Sequence, residues 1–251
     1  MFDPIQNLEE HLQKRTTFLI TELTPELKLF YEQLADYAAR IITKALAQNQ
    51  YERALIVYCG SGKVVRNLAE TGKIVVGVET HPDFLTEAKE RHLIKGCTGF
   101  SLEQEGSRLE LHQFRPEVTI SPFSIHRMRD PETTLKQIVS ATEKTVYLID
   151  FVRDIAPEDL LYLTFLEDLK GESTERLPDQ TPISEALQRN LNYPFITTQG
   201  YLSSALQSAL TLEELDILLK TLNRDYKTEI RDVKGPCKTT LPYAITTITQ
   251  K

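Results

Sequence analysis

The sequence predicts an α/β fold, with a doubly wound, mostly parallel sheet of seven strands that closes in a C-terminal antiparallel hairpin. Between residues 52 and 151, short apolar runs alternate with helical patterns, as in a parallel sheet covered by helices on both faces. A glycine turn at Gly60 and Gly62 joins the first apolar run to a helix. The last two runs, Tyr226–Val233 and Leu241–Thr249, are rich in β-branched and aromatic residues and predict the hairpin.

Residues 1–50 are predicted to form an N-terminal helical segment ahead of the main domain, residues 51–251. Within the segment, Thr24 and Pro25 are an N-cap and a first helical residue. Apolar residues then recur at intervals of three and four positions, which predicts a long amphipathic helix. We expect this helix to pack on the sheet or to cover one side of a cofactor site.

The first two predicted strands enclose the glycine turn. Ala54–Tyr58 is an apolar run without polar alternation, and Ile74–Val78 is the second such run. Helical spacing resumes at Val64–Leu68, so the turn ends at a helix N-terminus, where free N–H groups favour a nucleotide-like or carboxylate-bearing ligand. Glu79 stands at the carboxyl end of the second strand, where an acid accepts hydrogen bonds from ribose hydroxyls. These residues predict a cofactor-binding crevice.

Three more strands are predicted before the hairpin. The third is placed near Gly99–Leu111, and the fourth begins at Glu117. Asp130 opens a helix, Glu132–Ala141, and the fifth strand, Thr145–Asp150, follows it. Strands that alternate with helices in this way indicate parallel neighbours joined by helical crossovers.

A helical insertion is predicted between the fifth strand and the hairpin, over about residues 155–222. Its polar stretch Lys170–Thr181 is rich in turn residues and predicts an exposed loop. Thr211 and Glu214 have the spacing of a capping box at the start of a helix, Leu212–Leu222. We expect the insertion to cap the substrate side of the main domain.

Composition limits the class of protein. The chain has 251 residues, of which 41% are hydrophobic and 26% charged, as in one globular α/β domain. Its net charge of −7 argues against a broad attraction to nucleic acid. Cys59, Cys97 and Cys237 form no CxxC pattern and the histidines lack metal-ligand spacing, so we expect a reducing compartment and no metal. No signal peptide or membrane-spanning run is found, which predicts a cytoplasmic protein.

Three segments carry a resemblance to a known family. Residues 54–62, ALIVYCGSG, resemble the first strand and loop of the class I, Rossmann-like S-adenosylmethionine-dependent methyltransferases, whose loop reads Gly-Cys-Gly-Thr-Gly. Val76–Pro82 is similar to that family's second strand, which ends Val-Gly-Val-Asp before Ser-Pro. Ser121–Asp130 looks like the segment after its fourth strand, where an apolar-His pair precedes an Asp.

The resemblance implies that the cofactor is S-adenosylmethionine and that the reaction is methyl transfer to an acceptor. It also implies that His126 lies where methyl acceptors approach, which makes this residue a candidate general base. The cofactor-binding residues that the resemblance implies are Tyr58, Cys59, Gly60, Ser61, Gly62, Glu79, Thr80, Ser121 and Phe123.

The cofactor motifs are degenerate at several positions. Ile56 stands where the family has an acid in the first strand, and Tyr58 stands where it has the first glycine of the loop. The family's adenine-binding acid has no clear counterpart after the third strand, where Glu103 and Glu105 are the nearest carboxyl groups.

Three functions follow as hypotheses. The first is an S-adenosylmethionine-dependent methyltransferase that acts on a small organic acceptor. The alternative is a catalytically inactive methyltransferase-like protein that serves as an interaction or regulatory module, which the degenerate motifs favour. The third is an NAD-dependent oxidoreductase, because Gly60-x-Gly62-x-x-Val65 is one residue type away from the dinucleotide fingerprint. The predicted C-terminal hairpin argues against this third hypothesis. The sequence identifies neither the acceptor nor the oligomeric state.

Overall fold

The computed structural model describes the chain in segments: residues 25–46, 50–79, 114–128, 130–155, 209–234 and 240–250, with residues 84, 86–88 and 206 between them. Two short 3-10 helices lie in this part, at Ile125–Arg127 and Arg153–Ile155. Its α-helices and β-strands are, in chain order, α1 (Pro25–Leu46), β1 (Arg53–Val57), α2 (Lys63–Ala69), β2 (Ile74–Val78), β3 (Val118–Pro122), α3 (Pro131–Ala141), β4 (Thr145–Phe151), α4 (Leu212–Thr221), β5 (Asp225–Lys234) and β6 (Thr240–Thr249).

The described strands form one sheet in the order β2-β1-β3-β4-β6-β5. The first four of these strands are parallel, with Ala54 of β1 paired to Val75 on one side and Val118 on the other. β6 runs antiparallel to β4 and to β5, so the chain ends in a hairpin on this sheet. The predicted fold class is confirmed. The predicted third strand, Gly99–Leu111, lies outside the described residues.

The observed strands agree with the sequence patterns to within a residue. β2 has the predicted bounds, and the two hairpin strands are slightly longer than predicted. β1 ends at Val57, although the apolar run continues to Tyr58. Tyr58 has a backbone φ of 56°, which is left-handed and cannot continue a strand.

The sheet is covered by helices on both faces, which explains why its central strands lack polar alternation. Ala54 and Ile56 of β1 point to the α1 face, and Leu55 and Val57 point to the α3 face, and all four are fully buried. The helical side chains packed on the α1 face include Leu34, Ala38, Ile42, Val64, Val65 and Leu68. Those packed on the α3 face include Leu135, Ile138, Leu215, Leu218 and Leu219.

The described end of the predicted insertion is a helix that packs on the sheet. The Thr211 hydroxyl accepts the Glu214 N–H (3.1 Å) and the Glu214 carboxylate accepts the Thr211 N–H (2.8 Å), which confirms the capping box. Helix α4 then buries its apolar stripe on the α3 face. Most of residues 155–222 lies outside the described part of the chain. Among the described helices, none is long and apolar enough to cross a membrane.

Candidate functional site

The candidate site lies at the carboxyl edge of the parallel strands, where ligands bind in open α/β sheets. Three features of the chain meet there. The loop from Tyr58 to Gly62 connects β1 to α2, Glu79 follows β2, and Phe123 follows β3. Because β1 lies between β2 and β3, these ends are neighbours in the sheet although they are far apart in sequence.

The glycine loop turns through alternate left-handed residues. Tyr58, Gly60 and Gly62 have φ values of 56°, 59° and 77°, and Gly62 is the N-cap of α2. A Cβ atom built on Gly60 would meet nothing within 4 Å. The backbone of Gly60 therefore faces open space, and a ligand can approach it closely.

Glu79 is tied to this loop. Its side chain is fully buried, and the Gly60 N–H donates to Glu79 Oε2 (2.8 Å). The Cys59 N–H donates to the Val78 carbonyl oxygen (2.9 Å), so the loop is attached to the end of β2 at two points. These bonds hold the buried carboxylate of Glu79 beside the backbone of Gly60.

Gly77 lets β2 approach the loop and α2. A Cβ atom on Gly77 would lie 2.7 Å from Val65 Cγ2 and 2.8 Å from Cys59 Sγ. Any side chain at this position would have to displace the Val65 and Cys59 side chains that pack against it. The sequence shows a glycine between two valines in this strand, but the reason for it is visible only in the contacts of β2 with α2 and the glycine loop.

Helix α1 covers the loop through a polar contact that the sequence did not predict. Glu32 Oε1 accepts the Ser61 hydroxyl (2.8 Å), and Lys63 Nζ lies 3.3 Å from Glu32 Oε2 and 2.6 Å from Asp36 Oδ2. These side chains are partly exposed, so their ion pairs contribute about 1 kcal/mol or less to stability. Their effect is to position α1 against the loop.

A cavity lies between α1 and the glycine loop. Its volume is about 370 Å³ when the space at its open mouth is included. We call it the loop cavity. Its lining residues are Tyr31, Leu34, Ala35, Tyr58, Cys59, Gly60, Ser61, Val64, Pro122 and Phe123.

Of the other predicted site residues, some line the loop cavity and others lie elsewhere. Ser121 is fully buried, and its hydroxyl lies 2.6 Å from the hydroxyl of Ser124 rather than on the wall of the loop cavity. Thr80 lies outside the described residues. Ile56 is buried in the core of the α1 face. Tyr58 both lines the loop cavity and packs in the core of the α3 face, where it is 8% exposed.

His126 forms a buried pair with Asp150 at the end of β4. The His126 ring Nδ1 lies 2.6 Å from Asp150 Oδ1, and the His126 backbone N–H donates to Asp150 Oδ2 (3.0 Å). The Phe151 N–H also donates to Asp150 Oδ1 (2.8 Å). His126 is 2% exposed, and its Nε2 atom has no hydrogen-bond partner. The sequence predicted His126 as a candidate but did not pair it with Asp150.

Asp130, the acid in the predicted His-to-Asp segment, has a structural position. It is the N-cap of α3, and its Oδ1 accepts the Thr133 N–H (3.0 Å). This contact starts the helix that covers the α3 face. Among the described residues, no group of three or more His, Cys, Asp or Glu side chains could hold a metal ion.

The chain is similar to methyltransferases in part of its sequence and in its fold. Residues 55–149 match the family described as "Methyltransferase domain". No curated protein matches the sequence significantly. The solved plantazolicin methyltransferase BpumL, in complex with a triazolic desmethylPZN analog and SAH, matches with a TM-score of 0.59 and 12% identity, over 98% of this chain and 100% of that chain.

Two further solved structures have the same fold. Magnesium protoporphyrin IX methyltransferase (ChlM) from Synechocystis PCC 6803, with bound SAH, has a TM-score of 0.55 and 13% identity, covering 98% of this chain and 94% of its own. YcgJ from Bacillus subtilis has a TM-score of 0.54 and 10% identity, covering 86% of this chain and 99% of its own. At these identities the structural likeness shows the fold.

Proposed function

We propose that the chain is a class I S-adenosylmethionine-dependent methyltransferase acting on a small organic acceptor, and the match of residues 55–149 to the family described as "Methyltransferase domain" supports this. One observation carries this proposal. The Gly60 backbone faces open space while its N–H holds the carboxylate of Glu79 at the end of β2. An open glycine backbone beside a strand-end acid suits the nucleoside part of such a cofactor.

The residues present fit the nucleoside end of the cofactor better than its methionine end. Gly60 and Gly62 allow the backbone to approach the ligand, and Glu79 would accept hydrogen bonds from ribose hydroxyls. At the other end, Ile56 provides no acid, and the Tyr58 ring lines the cavity. The bound cofactor would supply a methyl group carried on a sulfonium.

The rate acceleration in this proposal comes mainly from positioning and from excluding water. Helix α1 covers the loop cavity with Tyr31, Leu34 and Ala35, and Phe123 closes it from the end of β3. A covered apolar site holds two reactants in line and removes water from around the reacting atoms. No dedicated base is required for that contribution.

The similar structures support this cofactor and this acceptor class. BpumL and ChlM were solved with SAH, and ChlM is named for a porphyrin substrate. The net charge of −7 also disfavours a nucleic-acid acceptor. A cytoplasmic location and a small-molecule substrate remain parts of the proposal.

The decisive experiment is calorimetric titration of the full chain with S-adenosylmethionine and, separately, S-adenosylhomocysteine. We expect micromolar binding that Gly60→Val abolishes, because the new side chain would occupy the space over the loop. Gly72→Val is the matched control: Gly72 also has a left-handed φ, of 82°, and open space around it, but it lies in the turn before β2. If Gly72→Val, with similar backbone strain, leaves the affinity for both ligands unchanged, the loss of binding in Gly60→Val results from the side chain that it places over the loop cavity.

The second candidate function is an inactive methyltransferase-like module for interaction or regulation. Tyr58 in the cavity wall and Ile56 in place of an acid favour it. Absence of heat with both ligands, on protein that remains folded, would reject the enzyme and favour this module. Titration with NAD in the same experiment addresses the oxidoreductase hypothesis, which the antiparallel hairpin disfavours.

A further inference from the structure

Strand β5 lies at one end of the described sheet. It pairs along its whole length with β6, from Asp225 opposite Thr249 to Lys234 opposite Thr240. Among the described strands, none pairs with the other edge of β5. An edge of this length presents a row of backbone N–H and C=O groups, which can pair with a strand of another molecule.

The side chains of β5 alternate between the two faces of the sheet. Tyr226 packs against the core of the α3 face, and Thr228 and Ile230 follow it on the same face because the side-chain period of a strand is two residues. The charged side chains on the opposite, α1 face are those of Lys227, Glu229 and Arg231.

Both faces of β5 are open to solvent along this edge. On the α3 face, the large apolar side chain of Ile230 is 46% exposed. On the α1 face, the side chains of Lys227, Glu229 and Arg231 are 77%, 40% and 46% exposed. A neighbouring strand would therefore remove Ile230 from water and would find charged side chains beside it.

The order of charges along β5 is complementary to itself. When a second copy of β5 pairs antiparallel, with Thr228 opposite its own counterpart, Lys227 lies opposite Glu229. In the same register Asp225 lies opposite Arg231. Each pair occurs twice because the arrangement has twofold symmetry. Opposite charges that face each other across neighbouring strands stabilise the pairing.

Other registers that keep like faces together match the charges less well. A register centred on Glu229 places this residue opposite itself and Lys227 opposite Arg231. A register centred on Lys227 places that lysine opposite itself. Like charges directly opposite each other are destabilising. A register centred on Ile230 avoids such pairs, but within β5 it matches only Glu229 with Arg231. The Thr228-centred register is therefore favoured.

We propose that the chain forms a symmetric homodimer in which β5 pairs antiparallel with β5 of a second copy, in the register centred on Thr228. The two described six-stranded sheets then form one continuous sheet. Ile230 of each copy lies opposite Tyr226 of the other, which covers the exposed apolar side chain. Because two paired edge strands bury little surface, the dimer dissociates on dilution.

This interface is remote from the glycine loop. Strands β3, β4 and β6 lie between β1, which carries the loop, and β5. The homodimer therefore leaves the loop cavity open in both copies, and its formation does not depend on the proposed function.

Sedimentation velocity of the full chain, in reducing buffer and over a range of concentrations, tests the dimer. The variant is Glu229→Lys, which places a lysine opposite Lys227 at both symmetric positions. We expect the wild type to self-associate reversibly and the variant to weaken that association about tenfold or more, because two attractive pairs become repulsive. A wild type that stays monomeric up to its solubility limit would overturn the proposal.

The double variant Lys227→Glu with Glu229→Lys tests the register. It exchanges the two charges, so in the Thr228-centred register positions 227 and 229 again face opposite charges, and self-association should recover. In the Ile230-centred register position 229 would still face Arg231 with a like charge, and association would stay weak. Failure of the double variant to recover therefore contradicts the proposed register.

Glu70→Lys is the matched control for the change in net charge. Glu70 is the C-cap of α2, and its side chain is 47% exposed. Helix α2 leads into β2, at the opposite end of the described sheet from β5. We expect this variant to self-associate like the wild type. An equal loss of association in Glu70→Lys and Glu229→Lys would assign the effect to net charge and would overturn the β5 interface.

Discussion

At the scale of single residues, Tyr58 combines backbone strain with good packing. Its φ of 56° lies in the left-handed region, where a residue other than glycine costs about 1–3 kcal/mol. Its side chain is 8% exposed and packs in the core of the α3 face. The strain is tolerated because burial of the aromatic ring offsets it. The same ring lines the loop cavity, so this residue affects both stability and ligand binding.

We predict that Tyr58→Gly lowers the free energy of unfolding by about 2 kcal/mol. Loss of a buried aromatic side chain costs about 3–5 kcal/mol, and relief of the left-handed φ returns about 1–3 kcal/mol. Urea unfolding measures the difference. Asn223→Gly is the control, because Asn223 has a φ of 49° but is exposed. A gain in stability for Tyr58→Gly would show that the ring contributes less than the strain costs.

At the scale of elements, Glu117 connects the beginnings of neighbouring strands. Its Oε2 accepts the backbone N–H groups of Glu52 (2.6 Å) and Arg53 (3.1 Å) at the start of β1, and its Oε1 lies 2.6 Å from Lys144 Nζ before β4. The Lys144 ammonium and these two N–H groups lower the pKa of Glu117 from 4.5 to about 2. The contact stabilises the register of three parallel strands at the edge opposite the site.

This carboxyl group predicts a specific acid response. Its folded-state pKa is lower than its unfolded value, so its contribution is complete above about pH 4.5 and is lost as the pH falls toward 2. Over this range the free energy of unfolding of the wild type should fall by about 2 kcal/mol more than that of Glu117→Gln. This value is smaller than the pKa difference alone would give, because solvent screens the half-exposed Lys144. Urea midpoints measured at several pH values give the comparison.

Glu229 provides the control for this acid response. Its pKa is also lowered to about 2, by Lys227 first and Arg231 second, but its side chain is 40% exposed on the outer strand β5. Solvent screens such pairs, so Glu229→Gln should change the acid response less than Glu117→Gln, and added salt should reduce its effect further. If the two variants change the acid response by equal amounts, the burial of Glu117 does not increase its contribution to stability.

At the scale of the whole molecule, α1 and the C-terminal hairpin are joined across most of the sequence. The Tyr37 hydroxyl donates to the Asp232 carbonyl oxygen (3.1 Å), and it is also hydrogen-bonded to the hydroxyl of Tyr243. Tyr243 is fully buried, and burial followed by the Tyr37 contact raises its pKa. The first described helix and the last strand therefore share one core.

Tyr37→Phe should lower the free energy of unfolding by about 1–2 kcal/mol, because it leaves the buried Tyr243 hydroxyl without its partner. The transition in urea should stay single, with an unchanged slope, if α1 and the hairpin unfold together. Tyr226→Phe is the control, since the Tyr226 hydroxyl bonds to Asp216 (2.6 Å) at a partly exposed site. A separate early transition in the variant would indicate that α1 unfolds independently.

The elements of this chain were predictable because their signals are local. The run Ile74–Val78 and the capping box at Thr211 each depend on a few consecutive residues, and the structure reproduces both. The end of β1 was predicted one residue late, since an aromatic residue at Tyr58 continues the apolar pattern and hides the left-handed turn. Within the site, the glycine loop and Glu79 were predicted from their positions between elements.

By itself, the sequence determined the α/β class, the terminal hairpin and a cofactor-type loop, because apolar periodicity and glycine turns act over short distances. Only the tertiary structure decided that Glu32 holds Ser61, and that Asp150 is hydrogen-bonded to His126. These partners lie 29 and 24 residues apart. Such contacts have no local pattern, because they form only when the parallel strands align their ends and bring loops from separate crossovers to the same edge of the sheet.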